Sequence, residues 1–142
     1  MLTCLYRIRK DWKTKIFKMM EDLKRYMMKV MANVDGLYAI VVTDRDGVVM
    51  LKVANESVPD QATRPPFLSV FGAMSDQASK LGLGTNKSIL SLYENFQVVQ
   101  INKQPLLVTM IATNEANTGD ILKLEKEFEE IFKDLTKVIQ MP

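Results

Sequence analysis

The chain has 142 residues, of which 47% are hydrophobic and 25% charged, a composition typical of one globular domain. It contains one cysteine, Cys4, and no histidine, which excludes a disulfide framework, a thiolate metal cluster and catalysis by a histidine base. No apolar run has the length of a membrane-spanning helix, and Leu2–Tyr6 is too short for the apolar part of a secretory signal. The composition therefore favours a reducing cytosolic or nuclear compartment.

The net charge of +2 hides an uneven distribution. Met1–Lys18 carries six basic residues against Asp11, a net charge of +5, whereas the remainder has 13 basic and 16 acidic residues. The larger part of the chain is thus mildly acidic, which argues against nucleic-acid binding. We interpret residues 1–18 as an appended basic segment, disordered or weakly helical, and residues 19–142 as the domain. The segment either has no role or forms an amphipathic helix for a membrane surface, with Leu5, Ile8, Trp12 and Ile16 on one side.

The first half of the chain predicts a helix followed by a β-hairpin. Apolar residues recur every three or four positions from about Met20 to Ala32, which indicates a helix. The strands Leu37–Thr43 and Val48–Ala54 flank Asp44-Arg45-Asp46-Gly47, and Asp-Gly between apolar runs is a strong hairpin signal. The first strand is apolar at nearly every position, so we expect helices to cover both faces of its sheet.

The second half predicts one helix, three strands and a last helix. The loop Asn55–Pro66 leads into a middle helix that ends at Gly82-Leu83-Gly84. The later elements are expected at Lys87–Glu94, Phe96–Asn102, Pro105–Thr113 and, as a helix, Thr118–Ile139.

The predicted order is therefore α-β-β-α-β-β-β-α. It indicates a three-layer α+β domain with one five-stranded antiparallel sheet covered on both faces. We expect the first and last helices to share one face and the middle helix to cover the other.

Motifs that could carry chemistry have structural explanations. Gly82–Ser88 lacks the glycine before Lys87 and the following helix that a phosphate-binding loop requires. Asp44 and Asp46 resemble the start of a calcium loop, but the twelfth position falls on Asn55 rather than glutamate. The serines have no histidine with which to form a nucleophile–base pair. We predict no catalytic residue, no cofactor and no metal site.

Two features instead indicate a protein partner. The middle helix is apolar around much of its circumference, which fits either a simple core helix or a helix that packs on a second subunit as well. The strand Lys87–Glu94 contains Ile89, Leu90, Leu92 and Tyr93 and could lie at a sheet edge. An uncovered apolar edge strand promotes aggregation, so a partner strand would protect it.

The element order and several sequence runs resemble the roadblock domains, which are relatives of the longin fold. The runs resemble in particular the family of MAP-kinase scaffold subunits (MEK partners) of the lysosomal Ragulator complex. They are Glu21–Tyr26, Val34–Gly47, Lys52–Asn55, Arg64–Pro65, Ser79–Leu83, Asn86–Ile89, Gln97–Gln100 and Ala116–Gly119. The similarity extends from about Met20 to the C-terminus, and residues 1–18 have no counterpart in it.

The resemblance implies a non-enzymatic adaptor that pairs with a second roadblock subunit through the middle helix and third strand. The implied interface residues are Phe67, Phe71, Met74, Ala78, Ile89, Ser91 and Tyr93. It further implies other Ragulator subunits, Rag GTPases in TORC1 amino-acid signalling, and MEK and ERK kinases as partners. The implied location is the cytoplasmic face of late endosomes and lysosomes, and the cytoplasm. Because the chain lacks a myristoylation start and a prenylation box, membrane attachment would come from a lipid-anchored partner.

One alternative keeps the fold and changes the role. The chain would then be a homodimeric roadblock regulator of a small GTPase, or a trafficking module of the dynein or longin type. Self-association without a roadblock partner would favour this alternative.

Overall fold

The structure, a computed structural model, describes the backbone of residues 2–139 and the side chains of residues 11–137. Its helices and strands are α1 (Leu2–Asn33), β1 (Leu37–Thr43), β2 (Val49–Ala54), α2 (Pro65–Ala78), β3 (Ser88–Leu92), β4 (Phe96–Lys103), β5 (Leu106–Thr113), α3 (Thr118–Glu127) and α4 (Glu129–Ile139). Short 3-10 turns at Asp60–Thr63 and Ser79–Leu81 flank α2. The predicted order is confirmed, with the last helix divided in two.

The five strands form one antiparallel sheet in the order β2-β1-β5-β4-β3. The central strands β1 and β5 are buried at almost every position, as their unbroken apolar sequences predict. β2 and β3 lie at the two edges. The edge position expected for the third strand is therefore present.

Helices cover both faces of the sheet. On one face, α1, α3 and α4 enclose the larger core, to which Met27, Ile121 and Phe128 contribute. On the other face, Phe71 of α2 packs with Val98 and Ile111 of the sheet. The expected division between the outer helices and the middle helix is thus confirmed.

The first helix is longer than predicted, since α1 begins at Leu2 rather than near Met20. No glycine or proline precedes Gly36, so nothing in the sequence interrupts the helix. Met20 packs against the core, whereas Phe17 is exposed. The side chains of residues 1–10, including Cys4, Leu5 and Ile8, lie outside the described residues. Within the described chain, no helix is long and apolar enough to cross a membrane.

The C-terminal helix is interrupted at Phe128, although Thr118–Ile139 was predicted as one helix. Phe128 has φ −88° and ψ −7°, and its N–H donates to the carbonyl of Leu124 at 3.1 Å. Its ring is buried and meets Phe132 edge-on at 6.0 Å. No glycine or proline lies between residues 120 and 139, so the sequence carries no signal for this break.

The β1–β2 hairpin fixes the position of α2. Oδ1 of Asp44 accepts hydrogen bonds from the backbone N–H groups of Asp46 and Val48, both at 2.9 Å. This arrangement is typical of a tight turn rather than of a calcium-binding loop. Gly47 has φ +85°, and a Cβ there would lie 2.9 Å from the carbonyl oxygen of Pro65. The absence of a side chain therefore lets the hairpin lie directly against α2.

Candidate partner interface

The edge strand β3 exposes apolar side chains. β3 pairs with β4 on one side and, in the described part of the chain, has no strand on the other. Leu92 is 76% exposed, and Leu90 and Tyr93 are about half exposed. Charged residues and prolines, which commonly protect edge strands, are absent from the sequence of β3.

The outward-facing backbone groups of β3 can be assigned from its ladder. The N–H of Tyr93 donates to Phe96 at 2.7 Å, and the N–H of Asn102 donates to Lys87 at 2.8 Å. Hydrogen-bonded and non-bonded pairs alternate along an antiparallel ladder. The odd-numbered residues therefore bond to β4, and the backbone N–H and C=O groups of Ser88, Leu90 and Leu92 point towards the free edge.

The side chains of β3 divide between the two faces of the sheet. Ser91 lies opposite Val98, which packs beneath α2, so Ile89, Ser91 and Tyr93 lie on the α2 face. Leu90 lies opposite Val99, which belongs to the core of the outer helices. The predicted interface residues of β3 thus share the α2 face. Leu90 and Leu92, on the opposite face, were not predicted as interface residues.

Helix α2 has one buried and one exposed apolar side. Leu68, Phe71, Gly72 and Ser75 face the sheet. Val70 and Met74 are 53% and 40% exposed, whereas Phe67 and Ala78 are partly buried. The structure therefore favours the helix with two apolar sides over the simple core helix. Val70 lies on this exposed side but is not among the predicted interface residues.

Phe71 occupies a different environment from the other predicted residues. It is only 3% exposed and belongs to the core beneath α2. A charged substitution at Phe71 would consequently unfold the domain rather than test the interface. Helical spacing places Phe71 beside Phe67 and Met74 but cannot show which of them the sheet covers.

A polar network joins the end of α2 to the start of β3. The hydroxyl of Ser75 donates to Oδ1 of Asn86 at 3.1 Å, and the N–H of Asn86 donates to the hydroxyl of Ser79 at 2.9 Å. Nδ2 of Asn102 donates to the carbonyl of Asn86 at 3.0 Å. The segment that resembled a phosphate-binding loop therefore positions β3 beside α2.

An apolar pocket lies between these elements. It has a volume of about 220 Å³ and is lined by Pro59, Gln61, Ala62, Phe67, Tyr93, Phe96, Val98 and Ile111. Phe67 and Tyr93 are also predicted interface residues. Among the described residues, none of those that line the pocket is charged, and no group of three His, Cys, Asp or Glu is placed to hold a metal ion.

The sequence and fold of the chain can be compared with those of known proteins. The profile of the family described as "Mitogen-activated protein kinase kinase 1 interacting" matches residues 21–139. The chain belongs to this family. It is 54% identical over 123 residues to Ragulator complex protein LAMTOR3 of Mus musculus and 52% identical to that of Homo sapiens. Each alignment covers 87% of this chain and 99% of the relative.

Several solved structures are similar in fold to this chain. The roadblock/LC7 domain from Streptomyces avermitilis has a TM-score of 0.60 and 13% identity, covering 80% of this chain and 94% of that one. The structure described as MglB with tetrameric arrangement has a TM-score of 0.67 and 13% identity, covering 80% and 87%. At this identity the likeness establishes the roadblock fold alone, as predicted. The names of the sequence relatives and of the family describe a complex and an interaction, and the prediction that the chain is not an enzyme is confirmed.

Proposed function

We propose that this chain is a scaffold subunit of a Ragulator-type complex and that it pairs with a second roadblock-domain subunit through α2 and β3. The observation that carries this proposal is the apolar edge strand β3, where Leu90 and Leu92 turn their backbone groups towards the free edge, beside the exposed apolar side of α2. A partner strand added at this edge would continue the sheet, and its helix would cover Val70 and Met74. The names of the relatives, which are Ragulator proteins, support the same role.

The other edge strand is less suited to pairing. β2 carries Lys52, whose Nζ donates to the hydroxyl of Thr63 at 3.2 Å. A lysine on an edge strand discourages the addition of another strand. The hydrogen bond also places Thr63 beside this edge of the sheet. β3 carries no charged residue, so the proposed interface uses β3.

The wider role follows from membership of such a complex. We infer that the pair joins other Ragulator subunits, supports Rag GTPases in TORC1 amino-acid signalling, and recruits MEK and ERK kinases to late endosomes and lysosomes. Attachment to the cytoplasmic face of the membrane would come from a lipid-anchored partner. Within the chain, residues 19–142 would form the roadblock domain and residues 1–18 an appended basic part of α1. The family match from residue 21 and the packing of Met20 against the core support this boundary.

Proline substitution at the free edge provides the test. Leu90→Pro removes an outward N–H that makes no bond to β4, and proline is tolerated on an edge strand where its nitrogen faces solvent. Ala54→Pro is the matched control because the N–H of Asn55 bonds to Tyr38, so Ala54 also points outward, at the opposite edge. Both variants and the natural chain are titrated with a roadblock subunit of the Ragulator complex and analysed by native mass spectrometry, with circular dichroism to check folding.

The proposal expects a one-to-one heterodimer for the natural chain and for Ala54→Pro, and a loss of pairing for Leu90→Pro. Equal pairing by all three folded proteins would reject the β3 edge. A homodimer that is indifferent to the roadblock partner would instead favour the regulator of a small GTPase.

A further inference from the structure

The apolar pocket lies beside α2, on the face of the sheet that α2 covers. Phe67 forms one wall and Ala62, on the 3-10 turn before α2, forms another. Phe96, Val98 and Ile111 belong to β4 and β5, and Tyr93 stands where β3 ends. The pocket therefore lies where the 3-10 turn, the start of α2 and the end of β3 meet over the sheet.

The size and chemistry of the pocket limit its occupant. Its volume of about 220 Å³ is below the range of about 300–1,000 Å³ that is typical of small-molecule sites. Gln61 is the one amide among otherwise aliphatic and aromatic residues, and no charged group is available to orient a polar ligand. A single large apolar side chain fits these conditions better than a cofactor or a metabolite.

The location of the pocket identifies the source of that side chain. Phe67 and Tyr93 line the pocket and also belong to the face proposed to bind the second roadblock subunit. A strand added to β3 would pass the half-exposed Tyr93 at the mouth of the pocket. We propose that the pocket receives one aromatic or branched aliphatic side chain of the roadblock partner and anchors the heterodimer. This inference rests on the proposed function.

Filling the pocket from within tests the inference without changing the β3 edge. Ala62→Leu places a larger side chain on the pocket wall, and Ala32→Leu makes the same change on the exposed side of α1, away from the proposed interface. Binding of each variant to a roadblock subunit is measured by isothermal titration calorimetry, and folding by thermal denaturation. Because buried anchor residues in pockets dominate interface energies, we expect Ala62→Leu to weaken binding by roughly 30-fold and Ala32→Leu to change it by less than about threefold.

The outcomes separate the pocket from the wider proposal. If the natural chain and Ala62→Leu bind equally, the pocket does not anchor the partner, although the proposed heterodimer stands. If the natural chain does not bind, the heterodimer fails and the anchor with it. If the natural chain self-associates and Ala62→Leu abolishes this, the occupant comes from a second copy and the heterodimer anchor is rejected. Should Ala62→Leu fail to fold, the smaller Ala62→Val variant is measured by the same criteria.

Discussion

Removing the side chain of Asn86 should loosen the junction between α2 and β3. Its Oδ1 accepts from Ser75 at 3.1 Å and its Nδ2 donates to the carbonyl of Ser88 at 3.2 Å. Each hydrogen bond contributes about 1 kcal/mol net, and the hydroxyl of the buried Ser75 would lose its acceptor. We therefore expect Asn86→Ala to lower the free energy of unfolding by about 2 kcal/mol. The corresponding fall in melting temperature is roughly 6–8 °C for a domain of this size.

The same change should weaken partner binding, because the partner would have to order a junction that is no longer fixed. Ordering costs of this kind are about 1 kcal/mol, which corresponds to roughly fivefold in affinity. Urea denaturation measures the change in the free energy of unfolding. Calorimetric titration with a roadblock subunit measures the change in affinity. Asn95→Ala, in the exposed turn between β3 and β4, is the control. If Asn86→Ala and Asn95→Ala unfold at the same urea concentration, the network does not hold the two elements together.

Two further substitutions test the buried polar groups of the sheet. Gln97 is almost fully buried, and its amide bonds to the carbonyls of Thr113 and Ala116 and to the hydroxyl of Thr118 at 2.7–3.0 Å. Gln97→Met should therefore destabilise the domain by about 2–3 kcal/mol in urea denaturation; a loss below about 1 kcal/mol would contradict this. Thr109 is fully buried, and its hydroxyl has no hydrogen-bond partner among the residues that the structure describes. Thr109→Val should be neutral or stabilise by about 1 kcal/mol, and a clear fall in melting temperature would show that the hydroxyl has a partner after all.

The sequence predicts the sheet well because its signals are local. The unbroken apolar runs of β1 and β5 correspond to the buried centre of the sheet. Asp44 and Gly47 specify the hairpin through their own turn chemistry. Short connections predict the pairs β1–β2, β3–β4 and β4–β5, whereas the pairing of β1 with β5, which leaves β3 at an edge, has no local signal.

What the sequence does not predict depends on distant contacts. Helical spacing places Phe71 and Met74 in one apolar stripe, but only the sheet determines that Phe71 is buried and Met74 exposed. The pocket combines Ala62, Tyr93 and Ile111 from three separate segments, and no local pattern connects them. The break at Phe128 likewise accompanies aromatic packing in the core rather than a helix-breaking residue.

The two layers around the sheet are unequal, and this inequality favours the α2 side as the side for a partner. Among the described residues, nineteen buried apolar residues form the core under the outer helices, whereas eight lie under α2: Ala39, Val41, Ala62, Leu68, Phe71, Val98, Leu107 and Ile111. The layer under α2 also contains Gln100 and Thr109, each with a buried polar atom that has no partner. Because α2 gains less from its own sheet, its remaining apolar side chains, Val70 and Met74, are free to stabilise a second subunit. Substitutions on that outer side should consequently reduce pairing while leaving the larger core, and hence folding, intact.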